Sequence, residues 1–175
     1  LDVHGMKGSQ NSYDNSGRAT IRWTSPTTFE HVAAAYWLGD YDVDTRETIF
    51  NASGLIHGLD VVQRLIDRFK GEEAIIGLEP VNEPWYDTPI DELKKFYVQV
   101  YNKIQSQVPH WIAVFHDSFR PIQMYWPTFL QGCDNFAFDS HIYQAWRDTS
   151  ESYTYSQVAC AFGRDLQSTR DKGIP

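Results

Sequence analysis

Four short apolar runs in this 175-residue chain end, on their C-terminal side, in groups able to do chemistry. The first, Leu1-Asp2-Val3, ends in His4. The second, Ala74 to Val81, ends in Asn82-Glu83-Pro84. The third, Trp111 to Phe115, ends in His116-Asp117, and the fourth, Phe136 to His141, ends in its own histidine with Tyr143 two residues on. Core packing accounts for one such histidine but not for four runs finishing alike. Glu83 is the sharpest of these groups, because it follows an apolar run and is flanked by Pro84 and Trp85. A carboxyl held against apolar groups keeps its proton to higher pH, which suits a general acid. Asn82 beside it is a neutral donor able to hold a substrate hydroxyl near a reacting carbon. His141 and Tyr143 can orient a second carboxylate or bind hydroxyl groups.

Acid-assisted cleavage of a glycosidic bond takes two carboxylates, roughly 5 Å apart with retention and further with inversion. Glu83 is the one strong candidate. Glu79 lies four residues earlier on the same run, so in an extended strand the two Cα atoms stand about 13 Å apart. Glu79 is therefore expected to be structural, and Glu151, in a polar stretch, to be solvated. A metal centre built from His4, His116, Asp117 and His141 is a second possibility, since imidazole is a common ligand. No His-x-His or His-Glu-x-x-His pair occurs, however, and neither metal nor cofactor is expected. The alternating aspartates of Asp40 to Asp44 lack the Gly and Glu of a calcium loop, and read as a solvated turn.

These groups need elements to position them. Residues 5–20 are rich in Gly, Ser and Asn without an apolar period, and form a loop. Thr28 to Leu38 reads as a short helix capped by Thr27 or Thr28. Gly54 to Lys70 is an amphipathic helix, with Leu55, Leu59, Val62, Leu65, Ile66 and Phe69 at helical spacing. Pro89 to Val108 is a second, opening with Pro89 and Asp91. Pro121 to Leu130 reads as a short helix and Tyr155 to Lys172 as a last one. The apolar runs between them read as strands. Strand and helix alternating in this way imply an α/β fold of parallel strands with crossover helices. Continuous apolar strands imply burial on both faces, except at Pro80, which is unusual inside such a strand. In a (β/α)8 barrel the active site forms at the C-terminal strand ends.

Composition narrows the partners. A net charge of −8 argues against nucleic acid and gives no reason to expect an anionic membrane surface. No apolar run approaches the ~20 residues of a membrane-spanning helix. Aromatics at 15% suit sugar stacking as well as core packing. Cys133 and Cys160 either pair or stay as free thiols, and Asn51-Ala52-Ser53 fits the N-glycosylation pattern. The chain starts within a strand-like run and ends on Lys172-Gly173-Ile174-Pro175, which reads as the approach to another.

Several motifs, in order through nearly the whole chain, resemble the exo-β-1,3-glucanases of glycoside hydrolase family 5. They are Leu1-Asp2-Val3-His4-Gly5, Gly8-Ser9-Gln10-Asn11, Asp14-Asn15-Ser16-Gly17, Ile76-Gly77-Leu78-Glu79-Pro80-Val81-Asn82-Glu83-Pro84, His116-Asp117 and His141-Ile142-Tyr143-Gln144. The resemblance implies a partial (β/α)8 TIM barrel, about strands 3 to 6 with their helices. Residues 1–175 would be the central part of a single catalytic domain, truncated at both ends and inactive alone. It implies a retaining exo-acting glycosidase in which Glu83 matches the acid/base and Asn82 its neighbour. His4, His141 and Tyr143 match subsite residues, with Asp14 joining the substrate-binding set. Tyr13 and Trp146 fall where the family places two aromatics, more usually Phe, at the cleft entrance. The nucleophilic Glu would lie on the seventh strand, past Pro175. An Arg from an earlier strand and a Trp from the last are also outside, and Arg18 to Phe50 is longer than the family norm. The implied partner is a β-glucan oligo- or polysaccharide, the full-length state monomeric, and the location extracellular or cell wall. A non-catalytic glucan-binding barrel, or an endo-β-1,6- or endo-β-1,4-glucanase of the same family, stays open as an alternative.

Overall fold

The computed structural model describes residues 1–17, 19, 21–31, 36–42, 44–45, 47–143, 160, 163–164 and 167. In chain order it holds two antiparallel hairpins, β1 (Ile21–Ser25) with β2 (Thr28–His31) and β3 (Gly39–Tyr41) with β4 (Thr48–Phe50). Then come α1 (Ala52–Phe69), β5 (Gly77–Leu78), α2 (Ile90–Gln107), β6 (Ile112–His116), α3 (Ile122–Tyr125) and β7 (Phe136–Asp139).

β5, β6 and β7 form a parallel sheet in that order. The N-terminal segment adds itself beside β5: Asp2 bridges Glu79 in parallel, the Glu79 N–H donates to Leu1 O at 2.8 Å, and the Asn82 N–H to Val3 O at 2.8 Å. Four parallel segments thus lie side by side in sequence order, with helices between them. This singly wound arrangement is consistent with part of a barrel.

The helices form for local reasons and are held by packing. Asn51 caps α1, its side chain accepting the Ser53 N–H at 3.1 Å. Asp91 and Glu92 in the first turn of α2 complement the helix dipole. α2 buries Leu93, Phe96, Tyr97, Val100 and Ile104, each worth about 1.5–3 kcal/mol of apolar transfer. Ala113 and Phe115 of β6 are fully buried on this helix-covered side, and Phe138 of β7 packs on Trp126 and Phe129 at ring separations of 5.3 and 6.0 Å. The excursion through the hairpins is fastened by Trp37, whose indole N–H donates to Gly54 O at 2.9 Å and whose ring meets Phe96 edge-on at 4.8 Å. Gly54 is required there, because a Cβ would stand 1.6 Å from the Trp37 carbonyl oxygen.

The strands are not equally buried on both faces. Side chains alternate, so Glu79, His116 and Asp139 share the face opposite the helices, where Ile112 is 37% exposed and Val114 and Ala137 are half-buried. Other expectations are also corrected. Thr28–His31 is a strand rather than a helix start, since Phe29 pairs with Trp23 and Glu30 with Arg22 across β1. Residues 32–35 of that expected helix lie outside the described residues. The run Ala74 to Val81 narrows to Gly77–Leu78 plus the bridge at Glu79, and Pro80, which has no N–H to give, follows directly, with pairing to the N-terminal segment resuming at the Asn82 N–H. The helix expected over Pro121–Leu130 is one turn, ending before Pro127 as the residue ahead of a proline favours. Of the helix expected over Tyr155–Lys172, Cys160, Gly163, Arg164 and Gln167 are helical and the rest lies outside the described residues. Cys133 and Cys160 are exposed free thiols. Among the described residues, no helix is long and apolar enough to cross a membrane.

Candidate active site

Glu83 leaves the β5 segment in the left-handed region, at φ +48°. A side-chain-bearing residue there costs about 1–2 kcal/mol, and the surrounding contacts must hold it. Gln10 does much of that. It is fully buried, and its amide donates to Asn82 O and to His4 O at 2.9 Å each while accepting the Met6 N–H at 3.1 Å. The Gly8-to-Ser16 loop is itself knotted by Ser9, whose hydroxyl bonds Ser16 Oγ and accepts the Ser12 N–H at 2.6 Å.

Glu83 is buried, its side chain 9% exposed, and its carboxylate meets three partners. His141 Nδ1 lies 2.6 Å from Oε1, the Tyr143 hydroxyl donates to the same oxygen, and the Asn15 amide donates to Oε2 at 3.0 Å. Burial alone pushes the Glu83 carboxyl up, but the bonds from Tyr143, His141 and Asn15 outweigh it and hold it below its ordinary value. This corrects the expectation, drawn from Pro84 and Trp85, of a carboxyl that keeps its proton. Flanking residues report the apolar setting, but the donors that favour the anion arrive from distant loops.

Around this carboxylate stand the strand-end groups. His141 Nε2 lies 3.2 Å from Asp139 Oδ2. Burial pulls its imidazole down, but Glu83 and Asp139 raise its pKa overall. Asn82 is buried and its amide lies 3.4 Å from His4 Nδ1, while His4 Nε2 lies 2.6 Å from Asp2 Oδ2. The His116 ring is fully buried, edge-on to His141 at 4.7 Å, with its carbonyl fixed by the Tyr97 hydroxyl at 3.0 Å. Asp117 instead turns to Ser140, whose hydroxyl donates at 2.6 Å, tying the ends of β6 and β7.

Among the described residues, Glu83, His116 and His141 place ligand atoms within 4.8 Å of one another, close enough for a metal ion to be considered. The tautomer argues against it. The Ser118 N–H donates to His116 Nδ1 at 2.9 Å, so the neutral ring keeps its proton on Nε2 and offers no lone pair there. Burial, then the neighbouring His141, pushes the His116 imidazole down to about 4, keeping it neutral.

Glu83 opens onto a cavity of about 470 Å³ lined by Tyr13, Asp14, Asn15, Trp85, Phe119 and Tyr143. Trp85 is its centrepiece, with Tyr13, Phe119 and Tyr86 at ring separations of 5.2, 5.1 and 5.4 Å. Of the residues singled out from sequence, Glu83, His141, Tyr143, Asn82 and His4 converge, and Tyr13 and Asp14 line the cavity. Trp146 lies outside the described residues. The carboxylate is reached by Asn15, not by its neighbour Asp14, whose side chain accepts the Asn15 N–H at 3.1 Å. Asn15, Gln10, Trp85 and Phe119 were not foreseen. The first two sit inside the motifs quoted above, which was the available signal. Trp85 adjoins the Asn-Glu-Pro triplet.

No protein-family profile matches the chain. Curated proteins do. The protein named "Probable glucan 1,3-beta-glucosidase A" from Aspergillus niger is 30% identical over 180 residues, covering 99% of this chain and 36% of its own length. The protein of the same name from Emericella nidulans is 26% identical over 180 residues, 99% of this chain and 38% of its own. The "Glucan 1,3-beta-glucosidase" of Candida oleophila is 30% identical over 154 residues, 82% of this chain and 30% of its own. The chain is similar to glucan 1,3-β-glucosidases along nearly its whole length. It spans 30–38% of the length of these relatives.

Proposed function

We propose that the full-length protein is a retaining glycoside hydrolase acting on β-glucan, most specifically an exo-β-1,3-glucanase, with Glu83 as its acid/base. The observation that carries this reading is Glu83 itself: one buried carboxylate at a strand end, held by His141, Tyr143 and Asn15 and facing an aromatic-lined cavity. The names of the similar fungal proteins supply the substrate class, and an extracellular or cell-wall setting is part of the same proposal. The sequential parallel sheet supports completion into a (β/α)8 barrel, of which residues 1–175 form the central part of the catalytic domain.

In the reaction, Glu83 protonates the departing glycosidic oxygen while a second carboxylate attacks the anomeric carbon, then draws a proton from the water that releases the sugar. Trp85, Phe119 and Tyr13 offer ring faces to glucose units. Asn82, His4, His141 and Tyr143 bind hydroxyls or hold Glu83 in line. Alone, Glu83 is held ionised. A nucleophilic carboxylate about 5 Å away would raise it, because two like charges at that spacing resist joint ionisation. The nucleophile is therefore both the missing reactant and the group that lets Glu83 hold a proton.

The test is laminarin hydrolysis by the full-length protein. Glu83→Gln is expected to cut kcat by about 10²-fold or more, with the β-anomer released first by wild type. Wild-type activity unchanged by Glu83→Gln would refute the assignment. The lowered Glu83 pKa favours one second reading, a glucan-binding barrel without catalysis. In that case the protein binds laminarin and releases no glucose.

A further inference from the structure

Behind Glu83 lies a second pair of carboxyls that the reaction does not use. Glu79 is 8% exposed, and its Oε1 has no hydrogen-bond partner. An ionised carboxylate buried with a bare oxygen carries a large desolvation cost, whereas the neutral acid does not. The charges acting on Glu79 are Asp2 from the N-terminal segment, Asp139 at the end of β7, and His141, the one positive group among them. Tyr97, reaching in from α2, is neutral. Glu79 and Asp139 share the face of the sheet opposite the helices, and the Asp139 charge opposes ionisation of Glu79. Asp139 in turn lies 3.2 Å from His141 Nε2, and His141 Nδ1 lies 2.6 Å from Glu83. The other groups facing His141 are Tyr143, Asp117 and His116, the last uncharged and edge-on.

We propose that Asp139 is a positioning residue, the carboxylate that grips His141 Nε2 and aims Nδ1–H at Glu83, and that the buried Glu79 behind it stays a neutral acid so that no second negative charge competes for His141. His141 then holds protons on both ring nitrogens between two carboxylates, Asp139 and Glu83. The row runs Glu79, Asp139, His141, Glu83, from the sheet interior to the cavity. Burial, Asp2 and Asp139 raise the Glu79 carboxyl from 4.5 to about 8, which agrees with a proton retained there. In its kinetic part the inference rests on Glu83 being the acid/base.

The tests use the full-length protein with Glu79→Gln and Asp139→Asn. Gln is neutral like the protonated acid and nearly the same size, so Glu79→Gln is expected to leave kcat/KM within about threefold of wild type and its pH profile unmoved below pH 8. Asp139→Asn removes the counter-charge, so the His141 imidazole, followed by histidine NMR with His141→Asn for assignment, titrates at lower pH, and kcat falls with KM little changed. A third measurement needs no activity. A carboxyl whose pKa is raised on folding makes the folded state bind a proton that the unfolded chain lacks, so stability falls as pH rises from about 4.5 toward 8. The stability difference between Glu79→Gln and wild type should therefore grow in favour of Gln across that window and level off above it. A difference independent of pH, or a loss of activity in Glu79→Gln as deep as in Asp139→Asn, would overturn the proposal. If the wild type lacks glycosidase activity, the functional reading fails, and the NMR and stability measurements decide this one on their own.

Discussion

At the scale of single residues, the chemistry rests on which form of Glu83 its neighbours prefer. Tyr143 and Asn15 bond the ionised carboxylate, so Tyr143→Phe and Asn15→Ala are each expected to raise its pKa. Because an acid must begin protonated, the alkaline limb of the kcat/KM profile should move to higher pH in both variants, an effect read directly from initial rates. Stability has the opposite dependence. A carboxyl lowered on folding contributes above its unfolded pKa and loses that contribution as pH falls through the folded value. Acid unfolding of Tyr143→Phe should therefore depend less steeply on pH than that of wild type. Glu83, His141 and Tyr143 were legible in the sequence because each follows an apolar run, and strand ends are where such a fold gathers its polar groups. Asn15 was not, since its reach depends on a loop whose shape is set by Ser9, Ser16 and Gln10 together. The direction of the Glu83 shift was misjudged for the same reason.

At the scale of elements, α1 and α2 were legible because a 3.6-residue apolar period and end signals agree along 18 residues each. The hairpins were not. Their strands are short, and Thr28–His31 is fixed by its partner across the ladder rather than by its own pattern. Trp37 shows how the excursion is nevertheless locked to the core. Gly54→Ala forces a methyl into the Trp37 carbonyl and should cost on the order of 1–3 kcal/mol, seen as a lower denaturation midpoint. Arg120 plays a similar part nearer the site. It donates to Thr88 O at 2.7 Å and to Ser118 Oγ at 3.1 Å, holding the loop that carries Trp85 against the end of β6. Arg120→Lys keeps the charge but loses the fork, so laminarin KM should rise more than kcat falls.

At the scale of the whole molecule, the sheet has two unlike faces. Helices cover one, and the other carries Glu79, His116 and Asp139 behind Glu83 and His141. The alternation of strand and helix made the parallel order legible, while closure of a barrel depends on partners beyond the four segments described. On this reading residues 1–175 expressed alone release no glucose from laminarin, whereas the full-length protein does. The central claim, that Glu83 is the acid/base of a retaining glycosidase, is met most directly by azide rescue of full-length Glu83→Ala on an aryl β-glucoside with a good leaving group. Such a substrate needs little acid help to form the glycosyl-enzyme, and azide needs no base to attack it. The expected result is a rate that rises with azide and a β-glucosyl azide product. A rate indifferent to azide, or an α-configured azide, would contradict the assignment.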